Sequence, residues 1–341
     1  MKKISLFLLA CLLVLLLWNW SLIGYGVAQG IGQMRIVWGA RPIAEVLEDP
    51  AFPDSLKDKL RIVHQVRAFA IDSLGLNDTE NYTTVFDQKG NELMWVVTAS
   101  EPFRLKAKTW HFPVVGEVPY KGYFDREKAL AEVKALQDAN WDVGLRNPGG
   151  WSTLGWFTDP ILSGMLEKSE GDLASLIIHE MVHATIFVKD SVSFNENLAT
   201  FIADSSAFAF LAWKYGKTSS EYNTYREEVI DHQRYSRHVL RGALALDSLY
   251  DGMDSQEPVE GRRKRKEQVI ARIIETMDTL TLYRYKIPRE RFRQKPPNND
   301  YFLNYLRYES RQSDFKNELQ NQYNGHWRDM IRDYRQRFPF L

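Results

Sequence analysis

Apolar residues recur at helical spacing along most of the chain. The pattern predicts helices over residues 29–74, 125–139, 172–188, 208–249, 262–283 and 304–337. Between residues 82 and 97, β-branched and aromatic residues surround a Lys-Gly-Asn turn and predict a β-hairpin. A further strand at residues 110–116 would lie at a sheet edge, because Pro113 cannot donate a backbone hydrogen bond. We therefore predict a predominantly helical α+β fold with a small antiparallel β-sheet.

The first residues combine a basic start with a long apolar run. Lys2 and Lys3 precede an apolar stretch over residues 4–26, and a helix needs ~20 apolar residues to span a bilayer. The pattern predicts an uncleaved signal anchor, a transmembrane helix within residues 1–27. Lysines before such an anchor favour a cytoplasmic N-terminus, so the rest of the chain would lie on the extracytoplasmic, periplasmic side.

Cys11 offers an alternative attachment to the membrane. Residues 8–11, Leu-Leu-Ala-Cys, resemble a bacterial lipobox, so a lipoprotein anchored through Cys11 is the second interpretation. In either case residues 28–341 form the globular part, as one domain or as two lobes divided near residues 217–260.

Composition limits the partners and the chemistry. The 341 residues are 44% hydrophobic, which is enough for a substantial core. Lys plus Arg and Asp plus Glu each number 44, and this balance gives no indication of nucleic-acid binding. The single cysteine excludes intrachain disulfides and cysteine-based zinc sites. The oligomeric state does not follow from the sequence.

One short motif has the spacing of a metal site. Residues 179–183 read His-Glu-Met-Val-His within the predicted helix 172–188, for which Asp172 is a suitable N-cap. Side chains four residues apart share one face of a helix, so His179 and His183 can bind one Zn²⁺ together. Glu180 lies about a quarter-turn away, where it can act on a water instead of binding the metal.

A zinc site that performs chemistry needs a third protein ligand and an open fourth position. The next acidic residues are Asp190 and Glu196, of which Glu196 is the better placed. Residues 189–194 would form a turn, and Ser193 or Asn195 would cap a second helix. The two helices would then be antiparallel, with Glu196 facing the two histidines.

The first motif is followed by Asn-Glu-x-x-Ala at residues 195–199, and the combination resembles the gluzincin zinc metallopeptidases. The resemblance implies a zincin-like fold, with zinc held by His179, His183 and Glu196. It also implies that Glu180 is the catalytic general base.

Two features depart from the best-known gluzincins. The gap between His183 and Glu196 is shorter, which requires a tight turn. Thr200 stands where relatives of thermolysin carry an aspartate that orients a ligand histidine. Asp204, one turn further along, could take over that role.

Several further segments resemble a bacterial family of membrane-associated aminopeptidases. They cover most of the chain after the N-terminal run and lie at residues 25–33, 40–43, 112–116, 119–124, 154–160 and 297–299. The resemblance implies a zinc-dependent aminopeptidase whose partners are a peptide substrate and the membrane. The resemblance supports metallopeptidase activity in general more strongly than it supports aminopeptidase activity in particular.

Tyrosines are candidates for the group that stabilises the oxyanion. Gluzincins bind extended substrate along an edge strand beside the zinc helix. Tyr120 and Tyr123 follow the predicted edge strand and could therefore line the cleft. Aromatic packing within a small sheet explains these two residues equally well. Tyr301, Tyr305 and Tyr308 are further candidates, among which the sequence does not choose.

Two other functions fit the same motifs. A gluzincin endopeptidase is the first, because no motif supplies the acidic group that an aminopeptidase needs for the free amine of its substrate. A membrane-anchored zinc protein that binds without hydrolysis is the second. Glu180 argues against this second function, since a zinc site that is not catalytic needs no base there. Zinc is inferred from ligand type, and another divalent metal could fit.

Overall fold

The computed structural model describes residues 20–112, 116–148, 158–189, 191–254 and 256–340. Within these ranges the chain is predominantly helical with small sheets, as the hydrophobic pattern predicts. Most of the predicted signal anchor, including Cys11, lies outside the described residues, as do Pro113 and Asp190. No helix in the described ranges is both long enough and apolar enough to cross a membrane.

Helices carry most of this architecture. They are α1 (Trp20–Gly39), α2 (Ile43–Glu48), α3 (Asp54–Phe69), α4 (Arg126–Asp138), α5 (Glu170–His183), α6 (Val192–Tyr215), α7 (Ser220–Asp251), α8 (Val259–Thr276), α9 (Arg289–Gln294), α10 (Asn299–Glu309), α11 (Gln312–Tyr323) and α12 (Trp327–Arg337). The strands are β1 (Arg41–Pro42), β2 (Thr84–Phe86), β3 (Trp95–Ser100), β4 (Trp110–Phe112), β5 (Gly116–Val118), β6 (Lys121–Tyr123), β7 (Asp142–Arg146) and β8 (Ile161–Leu162).

The hairpin predicted at residues 82–97 is wrong. β3 pairs antiparallel with β6 and β7, whereas β2 pairs antiparallel with β1 and parallel with β8. Lys89 and Gly90 do form a turn with positive φ, but the strands on either side join different sheets. β3 is buried from Val96 to Ser100, and buried backbone groups must be hydrogen-bonded. This strand therefore takes a central position with a partner on each edge.

The predicted edge strand is present as β4. It pairs with β5 in a separate two-stranded sheet, with Trp110 opposite Val118. Tyr120 follows in the connection to β6, and Tyr123 ends β6. Tyr120 therefore lies in a loop, whereas Tyr123 lies in a strand.

The N-cap of helix α5 lies three residues earlier than predicted. Ser169 is the N-cap and its Oγ accepts a hydrogen bond from the Asp172 backbone N–H at 3.2 Å, so Asp172 lies in the first turn. A serine oxygen satisfies an otherwise unpaired N–H of the first turn. The apolar face of α5 is fully buried through Leu173, Ile177 and Met181. This burial fixes which face of the helix carries the motif residues.

Helix α5 ends at His183, although the apolar pattern continues to residue 188. Residues 186 and 187 find backbone partners at the far end of the chain: Ile186 bridges to Pro339, and the Phe187 N–H donates to the Phe338 carbonyl at 3.1 Å. The Ile186 N–H still donates to the Val182 carbonyl at 2.8 Å, whereas the Phe187 N–H has its tertiary partner in place of a helical one. The chain turns back and α6 starts at Val192.

Helices α5 and α6 run antiparallel at the centre of the largest hydrophobic cluster. The order of their cross-contacts shows the direction, because His179 lies beside Glu196 and Ser175, one turn earlier, lies beside Asp204, two turns later. Helix α10 packs against α6, α7, β3 and β7, and so joins the sheet to the helix pair. Helices α5 and α6 carry the three residues of the predicted metal site, and Tyr308 on α10 lies beside one of them.

Candidate functional site

Three side chains of the two motifs converge on one point. The Nε2 atoms of His179 and His183 lie 3.1 Å apart, and the Oε2 atom of Glu196 lies 3.2 Å and 3.4 Å from them, respectively. A tetrahedral zinc ion with bonds of about 2.0–2.1 Å separates its ligand atoms by about 3.3 Å. The described residues form one such group of potential metal ligands. The donor set, two imidazoles and a carboxylate, suits zinc.

The end of α5 is fixed by an asparagine from a distant loop. The Asn77 Nδ2 donates to the Ala184 carbonyl at 3.0 Å, and the Asn77 backbone N–H donates to the Thr185 Oγ1 at 3.0 Å. These bonds satisfy groups that a helix C-terminus leaves unpaired. They hold the last turn of α5 in place, and with it the ring of His183.

Asn195 makes the short connection between the helices possible. Its Oδ1 accepts the Val188 backbone N–H at 2.9 Å, and its Nδ2 donates to the Val188 carbonyl at 2.9 Å. One side chain therefore satisfies both backbone groups in the loop between α5 and α6. These bonds stabilise the tight turn that the short gap between His183 and Glu196 requires.

Asn197 holds the other side of Glu196. Its Nδ2 donates to the backbone carbonyls of Ser193 and Arg307, the first at 2.9 Å, and its Oδ1 accepts the Arg311 N–H at 2.8 Å. Asn197 is fully buried, so its amide ties the first turn of α6 to α10 and α11. The two asparagines on either side of Glu196 therefore fix its backbone from opposite directions.

The electrostatics of the three groups favour an ionised carboxylate. Burial raises the pKa of Glu196, but the neighbouring His183 and the hydrogen bonds from both histidines outweigh burial and hold the pKa far below its usual range. Burial lowers the pKa of His183, yet the charge of Glu196 and its hydrogen bond raise the pKa overall. A site that keeps its carboxylate charged is poised to bind a cation.

Glu180 lies beside the cluster without joining it. Its carboxylate forms no ion pair with the other described residues, and its charge acts on the hydroxyls of Tyr82, Tyr120 and Tyr308. These three tyrosines come from three separate parts of the chain. The role of Glu180 as a general base stays a prediction.

Two of the candidate tyrosines lie at the cluster. The ring of Tyr308, on α10, is centred 6.5 Å from that of His179. Burial raises the pKa of Tyr308, and the charge of Glu196 raises it further. Tyr120 keeps 36% of its surface exposed, but its hydroxyl is buried. This burial raises the pKa of Tyr120, and the charge of Glu196 raises it further. Both phenols are therefore protonated at neutral pH and can donate hydrogen bonds.

The remaining candidate tyrosines are engaged elsewhere. The Tyr123 hydroxyl donates to the Glu132 carboxylate at 2.9 Å, in a group that also contains Lys121. The Tyr301 hydroxyl bonds to that of Tyr235 at 2.7 Å. Tyr305 lines a separate cavity next to the cluster. The structure thus brings Tyr120 and Tyr308 to the predicted site and leaves Tyr123 in the sheet.

Tyr82 is a residue of the site that the sequence did not indicate. Its side chain is 1% exposed, and its hydroxyl has no hydrogen-bond partner among the described residues. Burial, then the charge of Glu180, raises its pKa well above the ordinary value. Its φ of 62° lies in the left-handed region, which is strained for a tyrosine. No local pattern marks this position, because its environment comes from helix α5.

Asp204 reaches the cluster only indirectly. Its Oδ1 accepts hydrogen bonds from Ser175 at 3.0 Å and from Tyr225 at 3.4 Å. Burial raises the pKa of Asp204 above its ordinary value. Nearby charges, among them that of His179, lower the pKa by less than burial raises it. The predicted orienting bond from Asp204 to a ligand histidine is absent from the contacts of the described residues.

Asp204 instead lines an acidic cavity beside the cluster. The cavity has a volume of about 590 Å³. Three carboxylates, two tyrosines and an arginine are among its lining groups: Asp172, Asp204, Glu228, Tyr285, Tyr305 and Arg284. Thr200 also faces it from α6, one turn after Glu196. Helices α6 and α7 contribute most of the residues that line the cavity, and His179, His183 and Glu196 are not among them.

Comparison with known proteins gives one match. A family model described as "Putative aminopeptidase" matches residues 24–337. No curated protein and no solved structure matches the chain. The matched range includes all of the side chains described above.

Proposed function

The chain belongs to the aminopeptidase family whose model spans it, and on that premise we propose that it is a zinc-dependent aminopeptidase. The observation that carries this proposal is the convergence of His179, His183 and Glu196 to within 3.1–3.4 Å of one another. That spacing fits the ligand separation of a tetrahedral zinc site. The three residues would hold the ion.

The ion, when bound, supplies Lewis-acid chemistry: it polarises a carbonyl group and lowers the pKa of water to ~7. Glu180 accepts the proton of the attacking water on its carboxylate and passes it to the nitrogen of the leaving amine. Its carboxylate is free of ion pairs with the described residues, which supports this role. Tyr120 and Tyr308 donate hydrogen bonds to the oxyanion that develops on the scissile carbonyl. Tyr123, whose hydroxyl is held by Glu132, is the weaker candidate.

The acidic cavity supports an aminopeptidase over an endopeptidase. An aminopeptidase must hold the protonated amine of its substrate, and carboxylates next to the site can do so. Asp204 lies within hydrogen-bond reach of Ser175, one turn of α5 before His179. The sequence contained no motif for this group, because its members come from α5, α6 and α7.

We also propose that the N-terminal segment attaches the enzyme to the membrane, with the globular part on the periplasmic side. The basic, then apolar, start of the chain supports this location. Protease added to spheroplasts should digest the globular part, and a Cys11→Ser variant should stay in the membrane fraction. Release of that variant would instead favour the lipoprotein, and full protection from protease would contradict the orientation.

The decisive experiment combines metal analysis with matched substrates. Purified protein and its Glu180→Gln variant are tested on a peptide with a free N-terminus and on its N-acetylated form. We expect about one zinc per chain in both proteins, and cleavage of the free peptide by the wild type alone. Cleavage of both peptides would make it an endopeptidase. Zinc without cleavage would favour a binding role, and a chain without metal would overturn the proposal.

A further inference from the structure

Two helices run from the predicted metal site to the acidic cavity. On α6, Thr200 lines the cavity four residues after Glu196. On α10, Tyr305 lines it three residues before Tyr308, whose ring is centred 6.5 Å from that of His179. Side chains three or four positions apart on a helix are neighbours, with about 5–6 Å between their Cβ atoms. Each of these helices therefore carries a lining residue of the cavity about one turn from the predicted metal site.

Helix α5 links the same two places from a third side. Ser175 lies one turn before His179, and its hydroxyl donates at 3.0 Å to the Oδ1 of Asp204, which lines the cavity. A lysine side chain spans five single bonds from Cα to Nζ, about 6 Å when extended. This length matches one helical turn, so a basic side chain next to a peptide bond at the predicted metal site can reach the cavity.

Neutral groups hold the carboxylates of the cavity. Asp204 accepts hydrogen bonds from the hydroxyls of Ser175 and Tyr225, and Glu228 accepts one from the hydroxyl of Ser169 at 2.9 Å. Hydroxyl donors orient a carboxylate without cancelling its charge. The negative charge of the lining therefore depends on which cations lie nearby.

Arg284 offsets that charge only in part. Its Nε lies 3.8 Å from Glu228 and its Nη1 lies 3.6 Å from Glu227, and its side chain is 49% exposed. Exposed ion pairs of this kind contribute little. The ring of His232 also lines the cavity, but the Glu309 carboxylate lies 2.8 Å from its Nε2 and offsets any charge on it. The remaining negative charge favours a cation in the cavity.

Tyrosine rings form another part of the lining. The ring of Tyr235 is centred 5.1 Å from that of Tyr285 and 5.9 Å from that of Tyr305, and all three residues line the cavity. Aromatic faces attract cations, and lysine and arginine pack their aliphatic stems on apolar surface while the charged end stays in a polar environment. Rings and carboxylates together therefore suit a long basic side chain.

The cavity is too large for an amine alone. Its volume of about 590 Å³ lies within the range of ligand pockets, about 300–1,000 Å³. An ammonium group takes about the space of one water, ~30 Å³. The N-terminal amine of the proposed substrate would leave most of the cavity free for a side chain.

We propose that the cavity binds the cationic side chain of a lysine or arginine next to the scissile bond. The enzyme would then prefer peptides with a basic residue at the first or second position. This proposal rests on the proposed peptidase function and specifies its substrate class.

The test compares lysine with norleucine, which has the same carbon chain without the charge. Lys-Ala-Ala and Ala-Lys-Ala are each paired with the tripeptide that has norleucine in place of lysine. For the full-length wild-type protein we expect kcat/KM to be about ten- to a hundredfold higher for the lysine peptide of one pair, the effect of a charge-assisted hydrogen bond. The pair with the preference identifies which side of the scissile bond faces the cavity. Equal kcat/KM values within both pairs would overturn the proposal.

Glu228→Gln removes one charge from the lining and keeps an oxygen that can accept from Ser169. We expect it to lower the lysine-to-norleucine ratio about tenfold, by raising KM for the lysine peptide. Glu227→Gln is the matched control, because Glu227 is the next residue on the same helix and does not line the cavity. An equal drop in both variants would show a general charge effect and contradict a built pocket. Melting curves establish folding, and if Glu228→Gln is unfolded, the wild-type peptide pairs decide.

Binding to the Glu180→Gln protein separates this proposal from the peptidase function itself. Calorimetry with zinc present measures the affinity for each tripeptide without hydrolysis, and butylamine is titrated in parallel. Tighter binding of a lysine peptide that is lost when Glu228→Gln is added supports the pocket even if the wild type cleaves no peptide. Hydrolysis without any preference for lysine leaves the peptidase and overturns the pocket. Butylamine that binds as tightly as the lysine peptides would also overturn it, in favour of a site for a free amine.

Discussion

The Nε2 atoms of His179 and His183 face each other at 3.1 Å. Two protonated imidazoles would repel strongly at this distance. The carboxylate of Glu196 lies 3.2–3.4 Å from both nitrogen atoms, so its negative charge offsets part of that repulsion. A divalent ion held by the three side chains would bind the imidazoles in their neutral form.

Removal of the metal should therefore destabilise the protein. Binding to the folded state alone stabilises it by about 4 kcal/mol when the free ion exceeds Kd a thousandfold. We expect a chelator to lower Tm by several degrees and to abolish hydrolysis, and added zinc to restore both. Thermal melts followed by circular dichroism measure the first effect. Identical melts with and without chelator would argue against a metal bound at this site.

Asp231 makes a contribution to folding stability that depends on pH. Its buried carboxylate accepts backbone N–H bonds from Tyr283, Arg284 and Tyr285 at 2.6–2.9 Å. Burial raises the pKa of Asp231, but these bonds outweigh burial and lower the pKa below 3.8 overall. A lowered pKa contributes stability above the unfolded value of ~3.9, and that stability is lost as pH falls through the folded pKa.

We therefore predict that Asp231→Asn lowers the free energy of unfolding at pH 7 by about 1–3 kcal/mol, because an amide oxygen replaces a charged acceptor. The difference from wild type should shrink as pH falls below 4. Urea unfolding at pH 7, 4 and 3 measures it. A difference that stays constant across this range would show that the charge of Asp231 contributes nothing.

The tyrosines at the cluster can be separated by removing single hydroxyls. We expect Tyr308→Phe and Tyr120→Phe each to lower kcat about ten- to a hundredfold with little change in KM, because an oxyanion is stabilised only in the transition state. Tyr283→Phe is the control, since its ring is 58% exposed. If Tyr123→Phe has the largest effect instead, the choice of Tyr120 and Tyr308 over Tyr123 is wrong.

Asn195 should matter for metal affinity although it does not touch the ion. Asn195→Ala removes both hydrogen bonds to Val188 and leaves two backbone groups unpaired. Residues that support ligands typically change metal affinity 10–100-fold, and we expect a loss in that range. Competition with a coloured chelator measures it. Asn91→Ala in an exposed turn is the control, and equal affinity in the two variants would contradict the role of Asn195.

Gly171 sets the distance between α5 and α7. A Cβ at this position would overlap the ring of Tyr225, whose hydroxyl bonds to Asp204. Overpacking of this kind typically costs ~1–3 kcal/mol, so Gly171→Ala should lower Tm. Gly30→Ala is the control, because a Cβ there meets nothing within 4 Å and alanine favours a helix. A Gly171→Ala protein as stable as wild type would show that α7 can move aside.

The sequence predicted what depends on short-range spacing. Residues four apart on one helix share a face, so His179 and His183 had to lie together. The structure also brings Glu196 to them from the next helix. Their role as metal ligands stays a prediction. The helix ends were missed by a few residues, since Asn77 and the C-terminal residues 338–339 determine where α5 stops, and no local pattern contains them.

The parts that the sequence did not predict depend on long-range partners. The residues around the Lys89-Gly90 turn suit a hairpin, but β3 is buried and finds partners in β6 and β7. Tyr82 likewise gains its environment from Glu180, which comes much later in the sequence.

The contact of Asn197 with Arg307 and Arg311 has a consequence for biosynthesis. The neighbour of Glu196 is held in place by residues that a ribosome adds 110 and 114 positions later in the chain. A nascent chain that ends before α10 therefore lacks the support on one side of Glu196 and the hydroxyl of Tyr308. We expect the proposed hydrolytic centre to form only after α10 has been synthesised.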